Sequence, residues 1–446
     1  MNPSAIRARC PRAARPALAG CLVLVFALAV RAARADDPAP ASPPPSPAPS
    51  PAPAPAPVAR PVAPVDAIDA IRLEAHVKTL ASDEFGGRGS ADDREKAARW
   101  VEKELIAAGV KPVPGETSML RPFEAARAKG VPSGRNVVGW IEGADPQAKE
   151  YVVLSAHFDH LGTEVRSEPL PSEEPGKVVD GVRTTTIPHP GADDNASGTA
   201  ALIEIARALV AGPRPRRPVL VLAFDLEERD CGGSRAYCAA PVRPLADCAA
   251  FTTMDMLGRS LGDLAPGVLL VMGAERADAL MATTGAMAVA SGVTIRELGM
   301  DFNQLGWSDY VPFEEKKVPS LFFTSGACRD YHQPGDTADK LDYAALRGRA
   351  ATVLAAIRAL GDAKERPVWK ETAQPRLVEI ESVHAIVKLA GEKEEELQIP
   401  PPMRMLRKNY ENNLAKTIAK GTVTVGERVA LRNLALMLFQ AATKAR

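Results

Sequence analysis

The six-residue run VLVLAF, Val219–Phe224, has no polar side chain and breaks at once into Asp225-Leu226-Glu227-Glu228. So short an apolar run does not make a helix. Because it is continuous rather than alternating, both faces of the resulting strand must be covered, as in the middle of a parallel sheet. A chain holding such a strand has to supply helices on both sides of it. The spacing predicts helices over 71–82 (IRLEAHVKTLAS), over 91–109 with Ala98, Val101, Leu105 and Ile106 on one face, and over 196–210 with Leu202, Ile205, Ala206 and Leu209 on one face. Further strands are predicted at 136–141, 150–156, 268–272 and 321–324. Alternating strands and helices imply an α/β fold with a mixed, largely parallel central sheet flanked by helices.

The ends of the chain read differently. Arg7, Arg9, Arg12 and Arg15 precede the apolar stretch Leu18–Val30, and Ala33-Arg34-Ala35 follows as a small-residue cleavage site. This pattern is that of a secretory signal peptide over residues 1–35, which predicts an exported, periplasmic or secreted protein with no stable membrane span after cleavage. Leu18-Ala19-Gly20-Cys21 resembles a lipoprotein box, so lipid anchoring or an uncleaved N-terminal tether is the second choice. Residues 36–65 are a Pro/Ala-rich linker whose composition favours an extended polyproline II spacer. A globular domain is expected over 66–365. A helical C-terminal extension is expected over 366–446, with a capping box at Thr424 and Glu427 and a structural role for His384.

Lys plus Arg and Asp plus Glu number 55 each, so the chain lacks the basic excess of a nucleic-acid binder. Export permits disulfides, and four cysteines follow the leader: Cys231, Cys238, Cys248 and Cys328. Sequence does not choose among their pairings.

The chemistry lies where the apolar runs stop. EYVVLSA runs into His157-Phe158-Asp159-His160, VLVLAF runs into Glu227-Glu228, FTTMDMLGR carries Asp255, and CRDYHQPGDT carries His332. GADDNASG places Asp193 and Asp194 side by side just ahead of a helix, where like charges repel unless a cation lies between them. Ligands in open α/β sheets bind beyond the carboxyl ends of the strands. Two histidines and three carboxylates suit a pair of zinc ions sharing one carboxylate and a water.

These motifs, in this order, resemble the co-catalytic di-zinc aminopeptidase family, which includes bacterial leucyl aminopeptidases, aminopeptidase S and relatives of glutamate carboxypeptidase II. The similarity runs from about residue 70 to 360 and takes in SDEFGGRGS, NVVGWIEG, AHFDHLG, GADDNASG, the Glu-Glu pair, MDMLGR, WSDYVPF and YHQPGDT. It implies a zinc-exopeptidase fold and hydrolysis of the peptide bond next to a free amino terminus. By position, His157 and Asp255 match ligands of one zinc, Glu228 and His332 match ligands of the other, and Asp194 matches the bridging carboxylate. Asp159 matches the residue that orients His157, and Glu227 matches the general base acting on the water between the metals.

Two departures stand out. Ser308-Asp309-Tyr310 replaces a Ser-Asp-His segment that lines the substrate pocket, and Leu305 replaces a tyrosine that helps hold the oxyanion in some relatives, a task Tyr310 is a candidate to take over. The run TEVRSEPLPSEEPGKVVDGVRTTTIPHP is a candidate cover for the mouth of the site, and His189 within it is a minor candidate for contact with substrate. Cys231 and Cys328 flank two ligands of the same inferred zinc and are candidates for a disulfide. Carboxypeptidase-type relatives need basic pocket residues, for which Arg166, Arg259 and Arg329 are candidates. Glutaminyl cyclases and ligand-poor binding proteins of the same fold are the remaining alternatives.

Overall fold

The strand predicted at VLVLAF is found over Val219–Phe224, and its residues divide strictly between two cores. Val219, Val221 and Ala223 face one hydrophobic cluster, and Leu220, Leu222 and Phe224 face the other. Period-two geometry accounts for this, since successive side chains leave opposite faces of a strand. All six are fully buried. Full burial of a Val, Leu or Phe side chain contributes roughly 1.5–3 kcal/mol, so neither face of this strand tolerates a polar replacement.

The computed structural model describes residues 65–124, 133–169, 182–287, 293–299, 308–373, 375–397 and 399–430. The leader, nearly all of the Pro/Ala-rich linker and the last 16 residues of the chain lie outside them. The strands are β1 (Lys111–Pro112), β2 (Leu120–Phe123), β3 (Gly134–Ile141), β4 (Tyr151–His157), β5 (Gly162–Pro169), β6 (Val182–His189), β7 (Val219–Phe224), β8 (Cys248–Met254), β9 (Val268–Met272), β10 (Thr294–Leu298) and β11 (Ser320–Thr324). The main sheet runs β1-β3-β7-β4-β8-β11-β9-β10, with β2 paired on β3. Its centre is parallel, because β7, β4, β8 and β11 all point the same way. Antiparallel pairs, β3 with β7 and β11 with β9, bound that centre on either side. The expectation of a mixed, largely parallel sheet holds.

The helices are α1 (Ala70–Leu80), α2 (Ala91–Ala107), α3 (Gly198–Ala211), α4 (Gly232–Ala239), α5 (Asp278–Met287), α6 (Tyr310–Glu314), α7 (Tyr343–Asp362), α8 (Leu377–Glu392) and α9 (Pro401–Lys420). Capping side chains set several starts: Asp69, Ser90 and Asp342 each accept a backbone N–H from the first turn that follows. Helices α1, α2, α3 and α7 cover one face through residues such as Leu73, Val101, Leu202 and Leu354. The opposite face is covered by α4, α6, α8 and α9 through Tyr237, Phe313, Val383 and Leu414. The capping box at Thr424 and Glu427 forms, with Thr424 N–H donating to Glu427 at 2.7 Å and Glu427 N–H donating to Thr424 Oγ1 at 3.2 Å. Among the described residues no helix is long and apolar enough to cross a membrane.

Sequence reasoning did not find β10, and its composition explains why: TIREL carries Arg296 and Glu297 on a partly exposed edge strand. Nor did it find the β5–β6 hairpin, which fills most of what reads as an irregular insertion. The hairpin begins where Gly162 pairs with His189, and a Cβ on Gly87 would stand 2.4 Å from the Gly162 carbonyl oxygen. Its base is therefore packed on the Gly86–Gly89 turn.

Candidate metal centre

Four neighbouring parallel strands deliver their carboxyl ends to one place. Strand β4 ends at His157, β7 is followed by Glu227 and Glu228, β8 is followed by Asp255, and the loop after β11 carries His332. Asp194 arrives from a tight, kinked turn, Ala192–Ser197, that leads into α3, and its own backbone is not helical (φ −107°, ψ 94°). Gly191 precedes it at φ +57°, and a Cβ there would lie 2.3 Å from the Asp194 carbonyl oxygen and 2.5 Å from the His160 ring. Only glycine fits that approach.

Asp194 divides its two oxygens between two groups. Oδ1 lies 3.4 Å from His157 Nε2, which is itself 3.3 Å from Asp255 Oδ1. Oδ2 lies 3.1 Å from His332 Nε2, which is itself 3.1 Å from Glu228 Oε2. The five side chains expected to hold metal are thus together, with Asp194 central. A sixth joins them, because His160 Nδ1 is 2.8 Å from Glu228 Oε1 and 3.8 Å from Asp194 Oδ2. Two sets, His157–Asp194–Asp255 and His160–Asp194–Glu228, each bring one donor atom per residue into mutual reach of an ion.

The donor set fits divalent cations. Imidazole nitrogen and carboxylate oxygen are the ligand types of catalytic zinc. His157 Nε2, His160 Nε2 and Asp255 Oδ1 are buried and make no hydrogen bond. Buried polar atoms are normally paired, so such a cluster calls for a partner, and a divalent cation fits as one.

The electrostatics agree. Burial, reinforced by the Asp255, Glu228 and Asp309 charges, pushes the Glu227 carboxyl well above its ordinary range despite His157 nearby. Burial likewise raises Asp255. His157 is held well above the ordinary histidine value, because Asp255 and Glu227 overcome the opposing effect of burial. His332 rises to about 10 in the same way, with Asp194 and Glu228 outweighing burial. Asp194 falls well below the carboxylate range, since the imidazoles of His157, His332 and His160 beside it outweigh its burial. Without cations the cluster keeps protons that cations would displace.

A scaffold of buried hydrogen bonds holds these ligands. Asp159 accepts the backbone N–H groups of Glu227 and Glu228, at 3.0 and 3.3 Å, and its Oδ1 stands 3.5 Å from His157 Nδ1. It therefore aligns His157 and pins the Glu-Glu loop against β4. Asp193 accepts N–H donors from Gly258 and Arg259, and burial lifts its pKa to about 7. Asp336, in the PGDT segment, accepts the N–H groups of both Asp193 and Asp194 at 3.0–3.1 Å. Arg88, fully buried, donates to the carbonyls of Leu80, Phe158, Pro190 and Gly191. Arg88, His160 and Asp336 had no role in the sequence reading. Each lies inside a motif that reading quoted, so the signal was present and the partner was not.

Several sequence expectations move. Cys231 and Cys328 form no disulfide; both are buried free thiols in different surroundings. Cys231 Sγ faces Glu227 Oε1 at 3.8 Å, whereas the charges around Cys328 are those of Asp193, Arg259, Asp336 and Asp263. Tyr310 packs in the core against Phe322, with ring centroids 5.3 Å apart, and does not line the cavity at the site. His189 is outside that lining too, with Nε2 3.6 Å from Glu164. Arg259 pairs with Asp263 and Asp330, and Arg329 pairs with Glu396. Leu305 and the side chain of Arg166 lie outside the described residues, as do positions 170–181 of the hairpin.

Comparison with known proteins agrees with this geometry. Residues 136–357 match peptidase family M28. The chain is 29% identical over 286 residues to the uncharacterized protein YfbL of Escherichia coli, covering 56% of this chain and 76% of that protein. It is 27% identical over 267 residues to the aminopeptidase YwaD of Bacillus subtilis, covering 56% of this chain and 50% of the relative. Its fold is similar to that of a zinc aminopeptidase from Bacillus subtilis, with a TM-score of 0.50 at 15% identity over 68% of this chain and 98% of the other. The strands that end in the paired metal-ligand sets lie within the matched segment, and residues 136–357 of this chain belong to peptidase family M28.

Proposed function

We propose that the chain is an exported aminopeptidase that binds two zinc ions and removes the N-terminal residue of peptides bearing a free amino group. The observation that carries the reading is the pair of ligand sets joined through Asp194 at the floor of an acidic cavity. Asp194, Glu227, Glu228, Asp230 and Asp255 line that cavity, and among the described residues no lysine or arginine does. With Asp194, Glu228 and Asp255 balanced by two dications, Glu227 and Asp230 are the acids left to meet an ammonium group, and no described lysine or arginine is at hand for a substrate carboxylate. This favours an N-terminal over a C-terminal substrate end, and two of the basic residues a carboxypeptidase would need, Arg259 and Arg329, are paired with acids elsewhere.

His157 and Asp255 would hold one ion, Glu228 and His332 the other, with Asp194 between them and His160 against Glu228. When bound, the ions supply Lewis acidity and bring the pKa of a water towards neutrality. Glu227 then takes a proton from that water through its carboxylate, and the water oxygen adds to the scissile carbonyl carbon. The same carboxyl returns the proton to the leaving nitrogen as the C–N bond breaks. Asp159 keeps Glu227 in place through the backbone and fixes the His157 ring. A carboxylate set against the far nitrogen of a ligating histidine orients the ring and raises its basicity.

Hydrolysis of free-amine amino-acyl p-nitroanilides and of their N-acetylated forms is the test. Free-amine substrates should be cleaved, chelation should stop the reaction, and zinc should restore it. Cleavage of blocked substrates at an equal rate would defeat the aminopeptidase reading. Export is tested separately: the mature protein should begin at Asp36, and a chain retained in the cytosol with its leader intact would refute it.

A further inference from the structure

The cavity at the metal centre, about 340 Å³, is acidic at one end and apolar at the other. Leu270 and Met272 from β9, Leu298 from β10 and Phe322 from β11 line the apolar end. Two further lining residues come from outside the matched peptidase segment. Val383 and Ile386, one turn apart on α8, line the same cavity. Helix α8 begins 20 residues after the family match ends at 357.

That helix is fixed in place. Ile380, Val383 and Val387 are buried in the same cluster as Leu270, Met272, Leu298 and Phe322. At its N-terminal end, Arg376 pairs with Glu297 of β10 at 2.8 Å. One turn in, buried Glu379 pairs with buried Arg428 at 3.0 Å. Burying a paired charge costs desolvation and demands good geometry, so these pairs fix α8 in one position rather than merely adding stability.

We propose that Ile386 and Val383 are specificity-determining residues, and that α8 closes a receptacle for a large aliphatic or aromatic side chain on the N-terminal residue of the substrate. This rests on the aminopeptidase reading and adds its substrate class. The ammonium end of the residue meets the carboxylates while its side chain is buried among Leu270, Met272, Leu298, Phe322, Val383 and Ile386. Val383 is also core, so the half-buried Ile386 is the position to alter.

The experiment uses the full zinc-loaded chain and its Ile386→Ala, Ile386→Trp and Ile386→Leu variants, each checked for metal content and melting temperature. Two readouts are taken: kcat/KM on Leu-, Phe- and Ala-p-nitroanilide, and calorimetric affinity for free leucine, phenylalanine and alanine. The wild-type chain should prefer Leu or Phe to Ala. Ile386→Trp should lower the Leu-to-Ala and Phe-to-Ala ratios at least about tenfold, Ile386→Ala should move preference from Leu towards Phe, and Ile386→Leu should restore the wild-type ratios. Each change should appear in both readouts. Ratios unmoved by Ile386→Trp in a folded, zinc-loaded protein would overturn the proposal. If the wild-type chain cleaves no free-amine substrate the aminopeptidase reading fails by itself, and the affinities for the free amino acids still decide whether α8 walls the pocket.

Discussion

The two halves of the metal centre are built differently. His157 and Asp255 stand at or next to the ends of adjacent strands β4 and β8, and both are buried. His332 sits eight residues past the end of β11, in a left-handed conformation at φ +57°, with its side chain 34% exposed. The first half is placed by sheet geometry. The second is placed by a loop and steadied by neighbours, with Tyr331 stacked on the His332 ring at 3.9 Å and His160 bonded to Glu228. Sites on regular elements are held more tightly than sites on loops. The comparison predicts a firm ion at the His157 half and an exchangeable one at the His332 half.

The largest effect should come from the residue both halves share. Asp194→Ala should abolish activity and remove both equivalents of zinc by metal analysis; retention of two equivalents would show that the halves do not share it. Glu227→Gln should lower kcat by at least about 10²-fold, as loss of a general base does, with zinc content unchanged. Lost zinc there would make Glu227 a ligand instead. Asp159→Asn should cost about 10–100-fold in affinity or activity, the range for groups that support a ligand, and the loss should fall on the His157 half. His160→Ala should weaken only the second equivalent, by about tenfold, so that chelator titration becomes more clearly biphasic. A single-phase titration of the wild-type chain would erase the contrast between the halves.

Acidity should sharpen the same contrast. Histidine protonation must be given up before an ion can bind. With burial opposing and the Asp194 and Glu228 charges prevailing, His332 keeps its proton up to about pH 10 in the metal-free site, and His157 is also shifted upward. Raising pH therefore strengthens zinc binding, by on the order of tenfold per unit for each proton released, and lowering it weakens binding. Calorimetry in buffers of different ionisation enthalpy reads the proton count directly. A pH-independent affinity between pH 6 and 8 would contradict the shifts at both histidines.

Local chemistry in the chain made much of this architecture readable. An unbroken apolar hexamer requires a strand covered on both sides, and Val219–Phe224 meets that requirement with three residues per face. The acids and histidines at the ends of such runs pointed to a metal site beyond the sheet, and the family resemblance picked out the five candidate ligands, with Asp194 coming from the lead into a helix. The hairpin stayed hidden because its strands carry few apolar side chains, and β10 because charges interrupt it. The disulfide guess failed because nearness to a common ligand pair along the chain says nothing about which way each sulfur points.

The order of residue types thus determined the class of fold, the strand ends and the kind of ion they invite, since those follow from periodicity and ligand chemistry. Which atoms meet was decided only in three dimensions. Arg88 gathers carbonyls from residues up to 106 positions away, Asp336 reaches back to Asp194, and α8 brings Ile386 into the cavity that the acids also line. Contacts of that range depend on how the helices settle against the sheet, and no local pattern encodes them.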